Sequence, residues 1–147
     1  VVGRSWVEFC RGHFEMASRY FTLEEARGLV SWLEEIFQVL VPLRQRLGEL
    51  HGDIQKLRNR MPSNGGGAAD KELSTHRIAL DKILRLIEEH IQPIHERGIL
   101  VKSVQHGLVD FPSIREGREV YLCWHAGEQE IQSWHEVDIG FAGRQPI

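Results

Sequence analysis

Between Thr22 and Met61 the chain reads TLEEARGLVSWLEEIFQVLVPLRQRLGELHGDIQKLRNRM. Its apolar residues fall at Ala26, Leu29, Leu33, Ile36, Leu40, Leu43, Leu47, Leu50, Ile54, Leu57 and Met61, alternately three and four apart. That is the heptad spacing of a helix with one apolar seam. About 40 residues at ~1.5 Å rise make a rod of roughly 60 Å, which is not stable in water unless something lies along it. Thr22 and Glu25 have the spacing of a capping box at its start, with Phe21 where a hydrophobic staple sits. Glu24, Glu25, Glu34 and Glu35 gather near the start and Arg44, Arg46, Lys56, Arg58 and Arg60 toward the end, as the helix dipole favours, and they read as a solvated face. Pro42 removes one backbone donor and crowds the preceding turn, which predicts a bend there or a break into two helices.

The partner for this rod follows directly in sequence. Pro62-Ser-Asn-Gly-Gly-Gly-Ala-Ala69 is a reversal. A second helix is expected over 70–97, with Leu73, Leu80, Ile83, Leu84, Ile87, Ile91 and Ile94 on one side and Gly98 as its C′ residue. A short connection between two amphipathic helices predicts an antiparallel hairpin. If the reversal centres near Gly65, Arg97 comes level with Glu34 and the first helix overhangs. Ala26, Leu29, Val30, Trp32 and Leu33 then need cover from the C-terminal third or from a second copy, and on that ground a homodimer is expected. Val30, Phe37, Val39 and Val41 lie off the seam and point to a third contact surface. His51, His76 and His90 lack the i, i+4 spacing of a local ligand pair and read as edge residues.

From Ile99 the period changes to that of strands. Ile99–Val104, Arg118–His125 and Glu130–Glu136 predict three antiparallel strands, with Gly107–Gly117 as the connection between the first two. So small a sheet needs a helix face against it, which the overhanging end supplies, with Trp124 and Trp134 as anchors. The expected fold is therefore α+β: a long antiparallel helical hairpin, 22–61 and 70–97, with a small three-stranded sheet and tail, 98–147, at its open end. Residues 16–147 form the single domain. Residues 1–15 lack either period and are expected to be an extension outside it, with Met16-Ala-Ser as a second possible start.

Bulk properties narrow the functions. The 147 residues are 41% hydrophobic and 27% charged, an ordinary globular composition. A formal net charge of −3 gives no reason to expect a nucleic-acid partner. No apolar run approaches the ~20 residues that cross a bilayer. Cys10 and Cys123 stand far apart in unlike contexts, so no disulfide framework is expected and a cytoplasmic location fits.

Several blocks carry a resemblance. Phe21-Thr-Leu-Glu-Glu-Ala26, Gly107-Leu-Val-Asp-Phe-Pro112, Gly117-Arg-Glu-Val-Tyr-Leu-Cys-Trp124 with Gly127-Glu128, Trp134-His-Glu136 and Gly140-Phe-Ala-Gly-Arg-Gln-Pro-Ile147 resemble a prokaryotic family known only as a domain of unknown function. The resemblance spans about residues 20 to 147 and implies no activity.

The chemistry in these blocks depends on strand pairing. Alternation puts Tyr121, Cys123 and His125 on one face and Val120, Leu122 and Trp124 on the other. In one register of the last hairpin Cys123, His125 and His135 cluster and can hold a divalent metal. In the other, His135 lies beside Val120 and Leu122 and no cluster forms. Without a metal, Cys123 reads as a small buried apolar residue and His135 as a polar contact. Asp110, before Phe-Pro, reads as a turn former. Arg144 can pin the tail to Glu128 or Glu136.

The first expectation for function is a binding or assembly module without a cofactor, recognising an unidentified protein or small molecule through Trp124, Glu128, Trp134, His135, Arg144 and Asp110. The second is a metal-dependent hydrolase with Cys123, His125 and His135 as ligands and Glu128 or Glu136 as general base. The third is a coiled-coil scaffold.

Overall fold

The computed structural model describes residues 19–61 and 66–147; the expected extension over 1–15 and the tip of the reversal lie outside them. Helix α1, Leu23–Gly28, opens on the capping box: the Glu25 backbone N–H donates to the Thr22 hydroxyl at 3.1 Å, and the Thr22 N–H donates to the Glu25 carboxylate at 2.8 Å. Helix α2, Val30–Arg60, and helix α3, Gly67–Glu96, form the hairpin. Gly98 follows α3 in the left-handed region, with φ 79°.

The first helix breaks once, and not where its proline predicts. It is interrupted at Leu29, whose N–H reaches back only three residues, to the Ala26 carbonyl at 3.1 Å. The helix continues through Pro42. Pro42 and Gln38 are both exposed, so the carbonyl left without a donor faces solvent.

A five-stranded antiparallel sheet follows, in simple sequence order: β1 Leu100–Ser103, β2 Leu108–Arg115, β3 Arg118–His125, β4 Ser133–Glu136 and β5 Gln145–Pro146. Two strands exceed the expected three. The segment read as a connection is β2, paired along its whole length with β3, from Leu108 opposite His125 to Arg115 opposite Arg118. Pro112 argues against a central strand because it cannot donate to the ladder. It is tolerated because β1 pairs with β2 only as far as Asp110. Beyond that point the incoming chain takes over: the Phe21 N–H donates to the Pro112 carbonyl at 2.7 Å, and the Ser113 hydroxyl donates to the Phe21 carbonyl at 2.7 Å. The hairpin β2–β3 turns on Glu116 and Gly117, with φ 52° and 74°, the two left-handed residues of a tight primed turn.

One face of the sheet caps the open end of the helical hairpin. Ala26, Val30, Leu33, Phe37, Leu40 and Ile94 share one buried core with Val109, Phe111, Val120, Leu122, Trp124 and Trp134. Phe37 meets Trp124 edge to face at 5.7 Å, and Phe21 meets Phe111 likewise at 5.3 Å. The Arg97 guanidinium lies 4.0 Å over the Trp32 ring, which fixes where α3 ends along α2. Cover for the overhang thus comes from within the chain. Leu33→Ala should cost ~3 kcal/mol of unfolding free energy, because Leu33 is 0% exposed between helix and sheet. Val39→Ala, at a side chain 43% exposed, should stay within about 0.5 kcal/mol. Urea denaturation of the two variants checks both, and equal losses would mean that the sheet does not cover Leu33.

A candidate metal centre on the outer face of the sheet

Strand register decides what the other face carries. Asp110 pairs with Cys123, Pro112 with Tyr121, Tyr121 with His135, and Cys123 with Ser133. Paired residues share a face, so Asp110, Tyr121, Cys123 and His135 stand together on the side away from the helices. Asp110 is 3%, Cys123 1% and His135 2% exposed. One ligand atom from each lies within 4.8 Å of the other two.

The hydrogen bonds around His135 fix its tautomer. Its Nδ1 lies 2.8 Å from the Glu136 carbonyl, which can only accept, so Nδ1 carries the proton and donates it. Nε2 then faces the Asp110 carboxylate at 3.1 Å. Two lone pairs cannot meet at that distance; a positive species belongs between them, either a proton, giving an imidazolium that donates to the carboxylate, or a metal cation. Burial works against the charged ring, but the bonds to Asp110 and to the Glu136 carbonyl outweigh it, and the imidazole pKa stands above its ordinary value. Burial, reinforced by the charge of Asp110, pushes the Cys123 thiol up to about 12. Without a cation beside it, Cys123 is a neutral thiol.

A hollow of about 180 Å³ opens beside this group. Asp110, Tyr121 and His135 line it from the sheet, and Lys102 stands on its β1 side. The other wall is the tail, with Val137, Gly140 and Phe141. Gly140 has φ 73° and leads into a single 3-10 turn, Phe141–Gly143, that brings the chain back to pair as β5 with β4. The tail is clasped there: Arg144 pairs with Glu128 at 3.1 Å, and Glu128 also accepts the His125 N–H at 2.9 Å.

The residues singled out in the sequence fare differently. Cys123 and His135 come together as one register allows, but His125 does not join them; its ring stacks obliquely on Phe141 at 6.2 Å. Asp110 takes that place, contributed by β2 across the sheet, and it is no turn former. Trp124 is 0% and Trp134 7% exposed, so both are core residues and offer a partner no surface. Neither expected general base reaches the group: Glu128 is held by Arg144, and Glu136, opposite Val120 on the helix side, pairs with Arg118 at 3.3 Å. His76 lies 3.8 Å from Asp53 and donates from Nδ1 to the Glu72 carbonyl, while His90 donates from Nδ1 to the Leu86 carbonyl, as edge residues do. Tyr121 and Lys102 were not singled out. Tyr121 was legible as a face-mate of Cys123; Lys102 needs the β1–β2 pairing.

The chain belongs to the family of uncharacterized conserved proteins DUF2203, whose model matches residues 19–147. No curated protein and no solved structure matches it. Among the described residues no helix is long and apolar enough to cross a membrane.

Since Cys123 is buried, and is a neutral thiol unless a cation holds it, it should resist modification. In a Cys10→Ser background, a disulfide reagent at neutral pH should leave the native thiol unreacted over the time in which urea-unfolded chain reacts completely. Prompt stoichiometric reaction of the native chain would contradict the burial of this face.

Proposed function

We propose that this protein is a metal-dependent hydrolase with one divalent cation, zinc by preference, bound by Asp110, Cys123 and His135. The observation that supports this reading is the convergence of three unlike ligand atoms, buried and within 4.8 Å of one another. A carboxylate oxygen, a thiolate and an imidazole nitrogen suit a borderline-soft cation. The 3.1 Å between Asp110 and His135 is close to the roughly 3.3 Å separating two ligands at ~2.0 Å on a tetrahedral centre. The bond from Nδ1 to a backbone carbonyl is the outer contact that aims Nε2 at a metal. Three protein ligands leave a fourth position, and Asp110 and His135 both border the hollow. A cation held by Asp110, Cys123 and His135 would supply the chemistry of hydrolysis there, activating a water toward an acyl or phosphoryl centre, with the proton going to the leaving group as its bond breaks.

A second reading, a metal-containing binding module, draws support from one observation: neither expected general base is free, since Glu128 pairs with Arg144 and Glu136 with Arg118. A homodimer, expected from the sequence because of the overhang, draws no support from Ala26, Val30 and Leu33, which are covered, whereas Val39 and Val41 are exposed.

Protein purified without chelator should carry about one equivalent of zinc. Asp110→Asn, Cys123→Ser and His135→Gln should each lose most of it, whereas Glu128→Gln should retain it. Zinc added to stripped wild-type protein should raise Tm, because only the folded chain presents the three ligands together. A chain that takes up no zinc and shows no shift would refute the metal centre. With zinc bound, turnover of an activated ester separates the hydrolase from the binding module.

A further inference from the structure

The metal reading leaves open what enters the hollow, and the charges around it limit the choice. A divalent cation with the Asp110 carboxylate, the Cys123 thiolate and neutral His135 sums to zero. Among the described residues, Lys102 is the lining side chain that carries a formal positive charge. Among the described residues no carboxylate pairs with it; its Nζ lies 5.1 Å over the Tyr121 ring, a contact that holds the ammonium beside the opening. Tyr121 is half-buried and lines the hollow, where its phenol can donate a hydrogen bond to what enters. The opposite wall is apolar, with Val137 and Phe141. A volume of about 180 Å³ is below the size of a drug-sized site.

We propose that this hollow binds a small oxyanion, a carboxylate or phosphate group on a short apolar body, with Lys102 as its counter-ion and Tyr121 as its hydrogen-bond donor. The proposal rests on the hollow and its cation; only the contact of the ligand with a metal depends on the reading above. Lys102 acts on the ligand directly and touches none of the three metal ligands through a hydrogen bond or ion pair.

Cobalt-substituted full-length protein gives the test, since its visible spectrum reports the fourth ligand position. Acetate and inorganic phosphate are the probes, and acetamide is the neutral match for acetate. Saturable change with acetate identifies a carboxylate site and with phosphate a phosphate site; acetamide should do nothing comparable. Lys102→Met should weaken the effective anion about tenfold or more with cobalt content unchanged, and Tyr121→Phe should weaken it less. Equal responses to acetate and acetamide, or undiminished binding by Lys102→Met, would overturn the proposal. Loss of cobalt binding altogether would instead remove the metal centre. In that case the Tm of the metal-free chain in acetate, against chloride and acetamide at equal concentration, decides the anion site: a rise that Lys102→Met abolishes supports it, and no rise refutes it.

Discussion

The contact between the open end of the helical hairpin and the inner face of the sheet supports everything else in this molecule. Helix α3 ends where Arg97 covers Trp32, and it leaves Ala26 and Val30 beyond its reach. No isolated helix can leave such a stripe in water and persist. A five-stranded sheet with two strands of only four residues and one of two is just as dependent. Each element supplies what the other lacks, and Trp124 against Phe37 is the centre of that exchange. Phe21, bonded through its backbone to Pro112 and Ser113, ties the start of the helices to the middle of the sheet.

A functional consequence follows from strand alternation. Once Val109, Phe111, Leu122 and Trp124 are committed to the helices, Asp110, Tyr121 and Cys123 are committed to the opposite face. That face would ordinarily be wet, yet Asp110, Cys123 and His135 are buried. The tail achieves this by crossing the sheet from Val137 to β5 under the Arg144–Glu128 clasp. The sheet therefore has two dry sides of different character, one aromatic and one polar, and the hollow lies on the polar side.

The helices were legible in the sequence because their determinants are local. The three-four spacing names residues that are buried or half-buried, though Val30 and Phe37 are buried off it, and the Thr22–Glu25 box and Gly98 mark ends that the structure has in the same places. The break at Leu29 was not legible, since Gly28 carries no stronger signal than Gly48 or Gly52, which lie within α2. Strand β2 was hidden by Pro112, whose tolerance depends on where β1 stops and where Phe21 arrives, both long-range facts. The turn at Glu116–Gly117 was a readable sign of it. The site was half legible. Cys123 and His135 could be placed together only by assuming one of two registers. Asp110 could not be added while its segment was a loop, and His125, in sequence an equally good ligand, sits two pairs farther along β3 than Cys123.

The metal centre is tested most directly by X-ray absorption at the zinc edge of the reconstituted protein. The ligand set predicts one sulfur at ~2.3 Å and nitrogen or oxygen neighbours at ~2.0–2.1 Å. A shell with no sulfur, or with two, would contradict a centre built from Asp110, Cys123 and His135.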